Sequence, residues 1–256
     1  MKPQVYRDER PSEYFERFHR RARADEQGGW VYDLARVVLT PPTILLFRTR
    51  AIGTENVPAS GPVLLAPNHF SQMDHFFAGV YLRRKVRFMA KSQLFGPPVL
   101  TFILDRGGAF PVRRGHADEE AFETAYSLLD HGHPVLIYAE GGRSRSRNLG
   151  TPRRGIGRIA LESGVPVVPV AIHGSAGVRG WRKMRFPKVT IQYGEPIAFP
   201  VRERPSREEQ IAAAGEIFDR VRTMYTALEE QGRSGVIRAL RSGIPAPDPA
   251  ETSPGS

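Results

Sequence analysis

The sequence predicts an α/β domain, with a mostly parallel sheet flanked by helices and an N-terminal two-helix unit in front of it. Three observations predict this. Short runs rich in Val, Ile and Leu recur along the chain, and segments with apolar residues at three- and four-residue spacing separate them. The 256 residues suit one such domain with a small appendage and are ample for a large core. No internal repeat breaks the alternation.

Residues 11–24 place Tyr14, Phe15 and Phe18 together and surround them with Arg17, Arg20, Arg21 and Arg23, a basic amphipathic helix that Gly28-Gly29 ends. Residues 30–39 carry Trp30, Leu34, Val37 and Val38 at helical spacing. Pro41-Pro42 is expected to stop that helix, and 43–47 to begin another short one. The pair fits two placements, within a membrane interface or packed on the main domain; Trp30 and the arginines favour the membrane. Residues 1–48 therefore read as a membrane-associating segment, 49–231 as the domain, and 232–256, rich in Pro, Ala and Ser, as a partly disordered tail.

Within the domain, 50–53 reads as a short strand before a turn at 55–58. Strands are expected at 62–66, 86–90, 109–112, 134–138, 167–173 and 189–193. Helices are expected at 73–83, at 97–104 after Pro97-Pro98, at 116–131, 155–163 and 205–230. Such order gives a largely parallel sheet with room for antiparallel edges.

The formal net charge is +10 and there is no cysteine. Disulfides, zinc–thiolate sites and cysteine nucleophiles are excluded. Basic charge without a zinc-finger or RNP motif points to a membrane surface or phosphorylated substrates, with no nucleic acid expected. Residues 7–23 are charged, so no secretory signal is expected there. The longest apolar run, 37–47, is bracketed by Arg36 and Arg48 and falls short of the ~20 residues that span a bilayer. His131 and His133 flank a turn glycine without a carboxylate cluster, so no metal is expected.

The candidate chemistry centres on Asn68-His69-Phe70-Ser71-Gln72-Met73-Asp74, between a buried strand and a helix. A histidine on such a loop, with a carboxylate on the first helical turn, makes a general base with an orienting partner. An aspartate N-capping its helix beside a surface histidine fits the same spacing. Ser71 lies between them but lacks a Gly-x-Ser-x-Gly elbow, so a loop or capping hydroxyl is expected rather than a nucleophile. Asn68 fits local capping or a hydrogen bond to a substrate carbonyl.

Four ordered blocks give the chain a resemblance to a known family. His69-x-x-x-x-Asp74, Gly108-Ala109-Phe110-Pro111-Val112-Arg113-Arg114, Val135 through Glu140-Gly141-Gly142-Arg143-Ser144, and Val165-Pro166-Val167-Val168-Pro169-Val170 resemble the blocks of the glycerophosphate and lysophospholipid acyltransferases. The third block departs from Pro-Glu-Gly-Thr-Arg-Ser at Ala139 and Gly142. The resemblance implies an acyltransferase-type αβ sandwich. It implies His69 as base, Asp74 as its orienter, and Arg114 and Arg143 as phosphate ligands. Glu140 and Gly141 would organise that site, Lys91 matches a lysine often found after the first block, and Arg113, Arg145 and Arg147 fit secondary contacts or solvated charges. The implied reaction moves a fatty acyl group from an acyl thioester, on coenzyme A or acyl carrier protein, to lysophosphatidic acid (1-acylglycerol 3-phosphate), giving phosphatidic acid. No cofactor is implied. The implied place is the cytoplasmic face of the cell membrane, peripherally bound to anionic lipids. Acylation of another lysolipid or a glycolipid, or a non-catalytic membrane-binding protein of this fold, are the alternatives.

Overall fold

The computed structural model describes residues 8–114, 118–144, 146, 148–178 and 186–242. Arg145, Arg147 and the segment from 243 onward lie outside the described residues. Among the described residues, β1 (Arg50–Ile52), β2 (Val63–Pro67), β3 (Arg87–Lys91), β4 (Ala109–Val112), β5 (Pro134–Leu136), β6 (Val167–His173) and β7 (Thr190–Tyr193) form one sheet. Its order is β1-β7-β6-β2-β5-β3-β4. Every adjacent pair is parallel except β6 with β7. Every residue of β2 and β5 is buried, the continuous apolar run of strands covered on both faces.

The helices are α1 (Glu13–Arg23), α2 (Trp30–Phe47), α3 (Asp74–Gly79), α4 (Pro98–Arg106), α5 (Glu119–Asp130), α6 (Arg154–Ser163) and α7 (Arg207–Arg241). Successive strand residues serve opposite layers, as a pleat requires. Leu64, Val135 and Val167 pack with Leu128, Ile159, Ile217 and Phe218 of α5, α6 and α7. Leu65, Leu136 and Val168 pack with Phe47 of α2 and Phe77 and Ala78 of α3. Each fully buried Leu or Phe contributes about 1.5–3 kcal/mol, so these two layers dominate the driving force.

Four elements differ from expectation. Helix α2 runs unbroken through Pro41 and Pro42. The carbonyls that lose their amide donors belong to Val37 and Val38, which face outward, so solvent can satisfy them. The uninterrupted helix has 18 residues and a mean hydropathy of 1.2, long and apolar enough to cross a membrane by length and composition. Helix α3 is only six residues long. The chain after it is fixed instead by Arg84, which donates to the carbonyls of Pro58, Gly61 and Gly132. Helix α7 opens with a capping box between Ser206 and Glu209 and continues, through non-helical backbone at Gly232, to Arg241, well past 230.

The fourth difference concerns α1. Phe15 and Phe18 are buried with Ala90, Phe95 and Ala109, the Phe18 and Phe95 rings lie 5.0 Å apart, and His19 bonds Thr124 of α5 at 2.9 Å. The apolar face of α1 therefore covers the β4 edge of the sheet. The N-terminal pair divides: α1 is core, while α2 keeps an exposed apolar face.

Candidate active site

The side chains singled out from the sequence sit at the carboxyl ends of adjacent parallel strands, where an open α/β sheet builds its crevice. Asn68 and His69 follow β2, Glu140 and Arg143 follow β5, Lys91 ends β3 and Arg114 follows β4. Asn68 extends the sheet, with its Oδ1 accepting from the Ile172 amide at 2.7 Å and its Nδ2 donating to the Ile172 carbonyl at 3.2 Å. Its amide is thus committed to β6.

His69 is buried, and its Nδ1 lies 2.9 Å from Asp74 Oδ2. The same oxygen accepts from the amides of Phe70 and Ser71, both at 2.7 Å. Asp74 therefore locks the loop and the imidazole together. With Nδ1 donating to the carboxylate, Nε2 is the basic nitrogen. Burial lowers the His69 pKa, the Asp74 bond and charge oppose this, and Arg143 and Arg114 reinforce it. The imidazole is held neutral, as a base must be. Ser71 Oγ accepts from the Met73 amide at 3.2 Å, a local turn contact.

Two further aromatic groups complete the surroundings of the base. The Tyr138 ring lies flat on His69, with centroids 3.7 Å apart and planes 18° from parallel. His75 meets His69 edge-on at 5.5 Å and Tyr138 at 5.0 Å. Burial pushes the His75 pKa down to about 4, so it too is neutral near pH 7. Sequence reasoning placed Tyr138 in a strand and His75 in a helix and gave neither a role in the site. The adjacency of His75 to Asp74 was the one available signal.

Among the described residues, Glu140 pairs with no arginine. Its Oε1 accepts the His69 amide at 2.9 Å and its Oε2 the Gly150 amide at 2.7 Å. Burial raises its pKa, and the two amide bonds partly offset that. A Cβ on Gly150 would overlap this carboxylate, so the close approach requires glycine. Gly141, at φ +65°, makes the left-handed turn that follows.

Lys91, Arg114 and Arg143 lie close enough together for their charges to act on one another, and the two arginines also act on His69. Burial lowers the Lys91 pKa, followed by the fields of Arg114 and Arg143, and Arg114 is lowered by burial and then by Arg143. Among the described residues, neither arginine pairs with a carboxylate. Arg114 Nη1 lies 3.0 Å from where a Gly142 Cβ would stand, so the guanidinium fills space that the family's threonine would take. Like charges brought together this way favour a bound anion.

Two cavities flank the dyad. An open polar one of about 450 Å³ lies between 140–144 and 150–153. An apolar one of about 340 Å³ is walled by Ala35 and Leu39 of α2, His75 and Phe76 of α3, Phe88 of β3, and Leu100 and Ile103 of α4. His75 touches both this cavity and His69. No His, Asp and Glu cluster with metal-ligating arrangement occurs among the described residues. His133 approaches Asp25 at 2.8 Å, away from the dyad.

The arrangement suits removal of a proton beside a bound anion, with an apolar chain held against the reacting centre. Comparison with known proteins agrees in class. Residues 48–173 match the Acyltransferase family. The chloroplastic 1-acyl-sn-glycerol-3-phosphate acyltransferase of Brassica napus is 29% identical over 135 residues, 52% of this chain and 39% of that protein. The chain thus spans well under half the length of that relative. The 1-acyl-sn-glycerol-3-phosphate acyltransferase of Bacillus subtilis (strain 168) is 29% identical over 179 residues, 69% of this chain and 87% of that protein. The crystal structure of the 1-acyl-sn-glycerophosphate (LPA) acyltransferase PlsC from Thermotoga maritima shares the fold, with a TM-score of 0.60 and 21% identity, covering 86% of this chain and 95% of that one. The likeness to the acyltransferase enzymes thus runs through just under half of this chain, from 48 to 173.

Proposed function

We propose that this enzyme transfers a fatty acyl group from an acyl thioester, on coenzyme A or acyl carrier protein, to the free hydroxyl of lysophosphatidic acid, releasing phosphatidic acid and a thiol. The observation that carries the reading is the buried His69, bonded through Nδ1 to Asp74 at 2.9 Å and close enough to Arg114 and Arg143 for their charge to act on the imidazole. The relatives named for this substrate support it.

The acceptor phosphate sits against the cations, which places its glycerol hydroxyl at His69 Nε2. His69 takes the hydroxyl proton as the oxygen attacks the thioester carbonyl. Asp74 stabilises the imidazolium that forms, as in the lower half of a serine-hydrolase triad. The tetrahedral centre collapses, the C–S bond breaks, and the proton passes from His69 to the departing thiolate. Acceptor oxygen replaces sulfur directly, so the reaction needs neither an acyl-enzyme nor a redox cofactor. The acyl chain occupies the apolar cavity beside His75.

The membrane side is the exposed face of α2 and α4. Trp30, Val37, Leu45 and Val99 are each at least two-thirds exposed, and Trp30 and Phe102 bring the two helices together at 6.5 Å between rings. Both ends of α2 are docked on the domain, through Val31 and Tyr32 at one and Thr43 and Phe47 at the other. A helix held at both ends lies along the bilayer surface with its outer face in the lipid.

An acceptor screen tests the proposal. Labelled acyl-CoA and acyl carrier protein would each be offered with lysophosphatidate, a zwitterionic lysolipid and monoacylglycerol. Preferential formation of phosphatidate is expected. Transfer to the other acceptors with none to lysophosphatidate would overturn the headgroup assignment.

A further inference from the structure

Strand β3 ends at Lys91, and the chain turns at once into a single 3-10 turn, Ser92–Phe95. That turn has two neighbours that matter. Lys91 caps it and belongs to the cation cluster, and Leu94 lines the apolar cavity. A lone 3-10 turn has weak internal bonds and leaves its carbonyls in need of donors. The like charges of Arg114 and Arg143 also push Lys91 away. Donors outside the turn supply those carbonyls.

One of them lies in the segment before α1. Arg10 donates from Nη1 to the Phe95 carbonyl at 2.9 Å and from Nη2 to the Ser92 carbonyl at 2.8 Å. Tyr14 adds its hydroxyl to Phe95 O at 2.8 Å. The guanidinium is itself fixed on its other edge by the buried Asp8 carboxylate, at 2.9 Å from Nε and 2.7 Å from Nη2. It stacks on Tyr14 and Phe15, 4.6 and 4.8 Å from the ring centroids. The bond to Arg10 holds the Asp8 pKa down to about 2, so the clamp is charged under all working conditions. Asp8 also contributes negative potential at Lys91. A planar fork can reach both carbonyls and the carboxylate together, whereas a lysine ammonium cannot.

We infer that Arg10 is a positioning residue for the acceptor: it fastens the Ser92–Phe95 turn so that Lys91 stays in the anion site against the repulsion of Arg114 and Arg143. The N-terminal segment is then part of the substrate site as well as of the fold. The inference rests on the reading of Lys91 as an acceptor ligand.

The test is steady-state kinetics on the full chain, with lysophosphatidate and acyl thioester varied in turn. Variants are Arg10→Ala, Arg10→Lys, Tyr14→Phe, Lys91→Ala and the double variant Arg10→Ala/Lys91→Ala. Arg23→Ala serves as control, because Arg23 ties α1 to Glu120 of α5 at 3.4 Å and does not touch the turn. Arg10→Ala should raise the acceptor KM about three- to tenfold, with donor KM changed less than about twofold, and Arg10→Lys should recover only part. In the double variant the loss should not exceed that of Lys91→Ala alone, since both act through one group. Tyr14→Phe should give a smaller shift in the same direction and keeps the test open should Arg10→Ala fail to fold. An unchanged acceptor KM in folded Arg10 variants, an equal shift in Arg23→Ala, or full additivity with Lys91→Ala would overturn the positioning role. If Lys91→Ala leaves the acceptor KM unchanged, the assignment of Lys91 falls first, and the inference with it.

Discussion

Glu140 holds His69 by the backbone. Its carboxylate accepts the His69 amide at 2.9 Å, while the other oxygen accepts Gly150. The end of β5 and the loop after β2 are therefore locked together, and a return bond from the Ser144 amide to the His69 carbonyl at 2.8 Å closes the connection. Glu140→Gln keeps the shape but turns one acceptor into a donor facing an amide. Turnover should fall about ten- to a hundredfold, the usual penalty for a slightly misplaced catalytic group. Gly150→Ala, whose Cβ would strike the same carboxylate, should give a similar loss. Kinetics on the two purified variants check this, and wild-type turnover in both would show that the strap is dispensable.

The pH profile follows from the environment of His69. Burial first, then Arg143 and Arg114, lower its pKa from 6.5, and Asp74 works against them. The base is active when neutral, so activity should be level near pH 7 and fall as pH drops through a pKa below 6.5. Asp74→Asn removes the groups that raise the pKa, so the acid limb should move further down while the plateau drops. An acid limb that moves up in Asp74→Asn would contradict the assignment.

The two arginines should fail as lysines. Each guanidinium offers a planar fork to phosphate oxygens, which an ammonium cannot reproduce. Arg114→Lys and Arg143→Lys should raise the KM for lysophosphatidate by about tenfold or more, with smaller changes in donor KM. Full preference for the phosphorylated acceptor over monoacylglycerol in both variants would make these arginines structural.

Membrane contact should depend on α2 and α4 and not on α1. Leu45→Glu and Phe102→Glu change exposed positions, so melting temperatures should stay close to wild type while binding to anionic vesicles falls. Deleting residues 1–47 should do more than release the protein from vesicles, because Phe15, Phe18 and Phe47 are core. Cosedimentation and thermal melts read both effects. Unaltered vesicle binding by the glutamate variants would place the contact elsewhere.

Strands β4 and β6 match the sequence reading residue for residue, because each is a mainly apolar run with a sharp start, after Gly108 and Pro166, and a sharp end, before Arg113 and Gly174. The His69–Asp74 pair was equally legible, since five residues suffice to turn from strand end to helix start. The fate of α1 was not legible. Its aromatic face has the same pattern whether it meets lipid or the edge of β4, and only tertiary placement decides. Pro41 and Pro42 misled in the other direction, because an exposed helix tolerates the carbonyls they free. The partners of Glu140 were hidden for a different reason: they are backbone amides, which carry no residue signature. Stacking of Tyr138 on His69 likewise arises from the pairing of β2 with β5 and leaves no mark on either segment alone.

The central claim, that His69 drives acyl transfer to lysophosphatidate, is tested most directly by product formation in His69→Ala. Labelled acyl thioester and lysophosphatidate would be incubated with the wild-type chain and with the folded variant, and labelled phosphatidate quantified over time. Wild-type protein should form phosphatidate, and the variant should be slower by about two to four orders of magnitude, the span of a general base. Near-wild-type turnover by the folded variant would contradict the account.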